Sequence, residues 1–97
     1  MARPPIHPGE ILADEINQLG ITASELAGKL NVPKNRITEI INGQRGITAG
    51  NAVRLGYYFG TGAELWMNLQ KNYELKVAEQ TNGKAIRESI KPYVLVT

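Results

Sequence analysis

ITASELAGKLNVPKNRITEIING, residues 21–43, reads as two short amphipathic helices joined by a tight turn. Thr22 and Glu25 form a Thr-x-x-Glu capping box that opens the first of them. Leu26, Ala27 and Leu30 then share one face, and Asn31-Val32-Pro33 makes the turn. Asn tolerates the left-handed conformation such a turn commonly needs, and Pro33 sets the start of the second helix. That helix runs from about Lys34 to Asn42, with Ile37, Ile40 and Ile41 facing inward. Ala27 is small enough to let two helices cross closely, and Val32 plugs the gap beneath the turn while Ile37 and Ile40 pin the pair together. This spacing suits a roughly perpendicular pair, the helix-turn-helix whose second helix enters the major groove of DNA. The plainer alternative is an ordinary helical hairpin inside an all-α domain. Helices this short are not stable alone, so a supporting bundle is required.

The flanks supply it. Pro8 suits the first position of a helix carrying Ile11, Leu12, Glu15, Ile16 and Leu19 at helical spacing, and Gly20 stops it. His7, just before it, either caps that helix or faces water. After Asn42-Gly43 and the loop Gln44-Arg45-Gly46, Thr48 caps a fourth helix that ends at Gly60. Thr61 is expected to cap a fifth, with Glu64 as its box partner and a wide apolar stripe through Leu65, Trp66, Leu69, Tyr73 and Val77. Asn82-Gly83 predicts the end of that helix, Lys84–Ser89 a further turn, and residues 92–96 have strand composition. The expected fold is therefore all-α, with five helices and a short C-terminal strand. Residues 1–7 read as a mobile arm, 8–77 as the helix-turn-helix domain, and 78–97 as a tail for dimerisation.

Ninety-seven residues, 42% hydrophobic and 21% charged, make one globular domain. No apolar run reaches transmembrane length and the N-terminus has no signal-peptide pattern, so the expected location is cytoplasmic, with no membrane partner. Without cysteine, disulfides and thiolate metal sites are excluded. A single His, no glycine-rich phosphate loop and no metal-ligand spacing argue against an enzyme, and no metal or cofactor is expected. The net charge of +2 announces little, but its distribution is uneven. Glu10, Asp14, Glu15 and Glu25 cluster early without a basic residue, whereas Lys29, Lys34, Arg36, Arg45 and Arg54 follow against Glu39 alone. An acidic face and a basic face on one small domain would result, although two ordinary solvated surfaces explain the same charges.

If the helix-turn-helix reading holds, Lys34, Asn35, Thr38 and Glu39 meet base edges: Lys donates to guanine, Asn pairs with adenine, and Glu accepts from cytosine N4. Arg36 suits a phosphate or a neighbouring acid. The helix starts at Thr22 and Thr48, with Asn42, Gln44 and Arg45 beside them, suit phosphates. For each side chain taken singly, a solvated polar residue is the competing reading. Trp66, Tyr73 and the tail residues Tyr93, Val94, Leu95 and Val96 are candidates for a dimer interface, against intrachain packing as the alternative.

Taken in order, His7-Pro8-Gly9-Glu10-Ile11-Leu12, Glu25-Leu26-Ala27, Arg36-Ile37-Thr38-Glu39-Ile40-Ile41-Asn42-Gly43, Arg45-Gly46-Ile47-Thr48, Gly60-Thr61, Trp66-Met67-Asn68-Leu69-Gln70 and Tyr73 resemble the HigA (VapI) antitoxins. These belong to the phage-repressor-like (lambda-repressor-like, XRE-type) helix-turn-helix class. The resemblance spans roughly Ile6 to Leu75. It implies a homodimer that binds double-stranded operator DNA, represses its own operon and neutralises a HigB-type ribonuclease toxin. A stand-alone transcriptional regulator and a protein-interaction module are the alternatives. Four positions depart from the family pattern: Pro33 replaces the usual Ser or Thr, Asn31 the turn Gly, and Lys34-Asn35 the commoner Arg-Gln.

Overall fold

A computed structural model describes residues 4–94 of the chain. Five helices follow one another: α1 (Pro8–Leu19), α2 (Ala23–Leu30), α3 (Arg36–Ile41), α4 (Ala49–Phe59) and α5 (Ala63–Ser89). Helices α1, α2 and α4 each start where a side chain satisfies a free amide. His7 caps α1, its Nδ1 accepting from the Gly9 N–H at 2.9 Å while Glu10 accepts from the His7 N–H at 3.1 Å. Thr22 and Glu25 make the reciprocal capping box of α2, both bonds at 3.0 Å. His7 is thus part of the folded domain rather than of the arm assigned to residues 1–7.

The turn between α2 and α3 is built as its residues suggest. Asn31 is left-handed (φ 56°), and the Val32 N–H donates to the Ala27 carbonyl at 3.1 Å, closing the C-terminus of α2. Arg54 of α4 adds a bond from Nε to the Leu30 carbonyl at 3.1 Å. Pro33 precedes a further turn, in which the Arg36 N–H donates to the Pro33 carbonyl at 2.9 Å. Proline, which has no N–H to donate, serves this turn as an acceptor. The turn also corrects the helix start: α3 begins at Arg36, and Lys34 and Asn35 lie in the turn before it.

Leu12 and Ile16 of α1, Leu26, Ala27 and Leu30 of α2, Ile37 and Ile40 of α3, Ile47, Ala52 and Leu55 of the α4 region, and Trp66 of α5 form one core. Val32 and Ile41 pack on it, half-buried. Two close backbone approaches need glycine. A Cβ on Gly9 would stand 2.0 Å from the Ile40 carbonyl oxygen, and one on Gly56 would stand 2.2 Å from the Gly62 carbonyl carbon. These glycines let α1 rest on the C-terminus of α3, and α4 on the start of α5.

Helix α5 departs from the sequence expectation twice. Its N-cap is Gly62, not Thr61, and the Thr61 hydroxyl instead accepts from Trp66 Nε1 at 3.0 Å. It also runs unbroken for 27 residues through Asn82-Gly83. A glycine inside a helix costs only about 1 kcal/mol, which the surrounding Lys, Glu, Gln, Ala and Arg residues offset. Glu79 and Arg87 form an ion pair, and the Glu79 carboxylate lies where a Cβ on Gly83 would stand. No helix boundary therefore falls at 77/78. The helix stops at Ser89, before Pro92. Among the described residues there is no strand: Pro92, Tyr93 and Val94 are irregular and exposed, and Leu95 and Val96 lie outside the described residues. The projecting α5 makes the molecule 55 Å long against 29 and 23 Å across.

Candidate nucleic-acid interface

The α2–α3 pair is held by the residues whose spacing announced it. Ala27 and Ile40 are 0% exposed and Ile37 1%, so α3 is pinned to the core by its apolar side. Its other face, together with the turn before it, carries the polar groups. Lys34, Asn35 and Thr38 are exposed, and Arg36 and Glu39 are half-buried. Asn35 and Glu39 lie one helical turn apart, and Asn35 Nδ2 donates to Glu39 Oε2 at 3.3 Å. Arg45, from the loop after α3, donates from Nε to Glu39 Oε1 at 3.0 Å. The structure therefore brings Asn35, Glu39 and Arg45 together around one carboxylate. Among the described residues neither Lys34 nor Arg36 has a carboxylate partner, so both cations are free to meet an anion.

The phosphate candidates fall into two kinds. Thr22 Oγ1 accepts from the Glu25 N–H at 3.0 Å, and Thr48 Oγ1 from the Asn51 N–H at 3.3 Å. Both hydroxyls act as acceptors in these caps, which leaves the hydroxyl hydrogen of each to donate outward. Asn42 closes α3, and the Gln44 N–H donates to the Glu39 carbonyl at 2.9 Å. Asn42, Gln44 and Arg45 are exposed along the loop that joins α3 to α4. The arrangement offers cations, amides and hydroxyls on α3, the turn before it and the loop after it, with Glu39 the acidic group among them. It contains no nucleophile–base pair, and no group of side chains able to hold a metal occurs among the described residues.

The proposed interface residues separate differently. Trp66 is 1% exposed, packed within its own chain beside Phe59 at 5.8 Å between ring centroids, so it cannot face a partner. Tyr73 is half-buried, its ring edge-to-face with His7 at 4.8 Å. Tyr93 and Val94 are exposed. Gln70 was missed by sequence reasoning: it is 7% exposed, and its side chain accepts from the Ile47 N–H at 2.7 Å. The signal was present as a polar residue four positions after Trp66, on the stripe that packs inward. Among the described residues, no helix is long and apolar enough to cross a membrane.

A family model described as helix-turn-helix matches residues 12–66 of the chain. Virulence-associated protein I of Dichelobacter nodosus is 53% identical over 78 residues, covering 79% of this chain and 72% of that protein. An addiction module antidote protein of the HigA family from Coxiella burnetii superposes with a TM-score of 0.91 at 49% identity, over 94% of this chain and all of the other. The Pseudomonas aeruginosa antitoxin HigA, solved with the higBA promoter, gives 0.90 at 47% identity, covering 93% of this chain and 99% of that one. The expectation that the chain is not an enzyme agrees with these relatives.

Proposed function

This chain belongs to the HigA antitoxin family of helix-turn-helix proteins, and from that premise we propose that it represses transcription by binding a specific operator as a homodimer. The observation that carries the reading is the pinned α3. Its apolar side is locked by Ile37 and Ile40, which leaves Thr38, Lys34 and Asn35 exposed on a fixed frame beside Arg45 and the capped start of α4. The Pseudomonas relative solved with its promoter supports a DNA-binding role. Lys34, Asn35, Thr38 and Glu39 read base edges; Arg36, Thr22, Asn42, Gln44, Arg45 and Thr48 hold phosphates. Lys34→Ala with Asn35→Ala, both exposed, abolishes retardation of the duplex upstream of the chain's own reading frame while leaving the helical circular dichroism unchanged. Retention of specific binding by this variant defeats the assignment.

Two recognition helices must lie about 34 Å apart to occupy successive major grooves, which is why a dimer is required. The outer half of α5 is the segment we assign to it: Leu75, Ile86 and Ile90 are exposed, followed by Tyr93 and Val94. The second part of the proposal is neutralisation of a HigB-type ribonuclease toxin in the cytoplasm. The acidic side of α1 supplies a surface for a basic partner. Glu10, Asp14 and Glu15 carry the charge, and since Glu10 also accepts the His7 N–H in the cap, Asp14 and Glu15 are the positions to reverse without uncapping α1. Asp14→Lys with Glu15→Lys weakens toxin binding and spares DNA; unchanged toxin affinity removes α1 from the contact. An adjacent reading frame for a basic one-domain protein of about 90–110 residues is the partner to test. Its absence favours a stand-alone regulator.

A further inference from the structure

We propose that Gln70 of α5 is a positioning residue for DNA binding, one that holds the loop between α3 and α4 in the shape that presents Arg45 and Thr48 to the phosphate backbone. The inference rests on the DNA-binding reading above. It starts from the loop itself. Residues 44–48 belong to no helix, yet they carry Gln44 and Arg45 and end on the capping hydroxyl of Thr48. Such a segment has no helical ladder to fix it, so its shape depends on bonds to its neighbours.

Beyond the bond of the Gln44 N–H to the Glu39 carbonyl, one side-chain bond holds it on the α3 side and one on the α5 side. On the α3 side, the Glu39 carboxylate accepts from Arg45 Nε, in an exposed pair that solvent weakens. On the α5 side, Gln70 Oε1 accepts from the Ile47 N–H at 2.7 Å, in a buried bond between residues 23 apart in sequence. The same amide donates from Nε2 to Glu74 Oε2 at 3.0 Å, which fixes its orientation. Gly46 completes the fit: a Cβ there would stand 2.7 Å from Gln70 Nε2, so the loop backbone lies directly on the glutamine. Ile47 is 3% exposed, anchored in the core immediately before Thr48. Helix α5 carries none of the residues assigned to base edges or phosphates, and through Gln70 it nonetheless sets where the phosphate-contacting loop lies.

The test compares three versions of the full chain on the duplex upstream of its own reading frame. Gln70→Met fills nearly the same volume without an acceptor. It is expected to keep its cooperative unfolding, to expose the Ile47 amide to faster hydrogen exchange, and to bind about tenfold more weakly, with the logarithmic salt slope shallower by about one. A purely structural role would change stability and leave the slope alone. Gln70→Glu combined with Glu74→Gln keeps an acceptor for the Ile47 N–H and reverses the donor between the two positions. It is expected to restore both affinity and slope, which also guards against a Gln70→Met variant that fails to fold. Wild-type affinity and slope in Gln70→Met, or no rescue by the double exchange, overturns the positioning role. If the wild-type chain itself retains no specific duplex, the DNA-binding reading falls and takes this one with it.

Discussion

The α-carbon of Gly9 faces the carbonyl oxygen of Ile40 so closely that a Cβ would stand 2.0 Å from it. This contact seats the first turn of α1 against the last turn of α3, so the orientation of the recognition helix depends on a residue outside the helix-turn-helix. Gly9→Ala cannot be relieved by a side-chain rotation, because the obstacle is backbone. We expect it to destabilise the domain by about 1–3 kcal/mol, read as a lower urea midpoint with an unchanged slope.

Trp66 joins the core to the α4–α5 corner by its volume and by its bond to Thr61. Trp66→Ala should cost about 3–5 kcal/mol, a large share of the roughly 5–15 kcal/mol that holds a domain of this size folded. Trp66→Phe keeps most of the ring and loses the bond, so about 1 kcal/mol is expected. Thermal unfolding followed by circular dichroism separates the two.

The cap of α1 makes a chemical prediction about His7, whose Nδ1 must be unprotonated to accept from Gly9. His7→Ala should lower stability by about 1 kcal/mol, and His7→Asn should recover most of it, since Asn caps equally well. Equal losses in both variants would assign the effect to the lost contact with Tyr73 instead.

Glu39 sits between Asn35 and Arg45, so its removal should be felt in recognition rather than in folding. Glu39→Ala is expected to change stability by less than about 1 kcal/mol, as exposed pairs do. Discrimination at one base pair of the operator should relax by about 1–3 kcal/mol, measured by titrating singly substituted duplexes.

The outer part of α5 extends past the core, with Leu75 and Ile86 exposed along it and Ile90 exposed just beyond its end. A chain ending after Ala78 should unfold within a few degrees of the full chain's midpoint yet sediment as a monomer. If it remains dimeric, the interface lies on the domain rather than on the tail.

The sequence by itself determined the helix-turn-helix and its supporting helices. The capping box of Thr22 and Glu25, the left-handed Asn31 and the apolar spacing through Ile40 are local rules, legible wherever the interacting residues are a few positions apart. The polar residues facing outward were legible for the same reason. Local rules misjudged α5, because Asn82-Gly83 is a strong stop signal that a run of helix formers and the Glu79–Arg87 pair outweigh. Only the tertiary structure decided that Trp66 belongs to the core, that Gly9 is required by Ile40, and that Gln70 grips the Ile47 amide. Each of those relationships joins residues whose proximity is created by packing. Burial and orphaned backbone groups are properties of the folded chain, and no periodicity along the sequence encodes them.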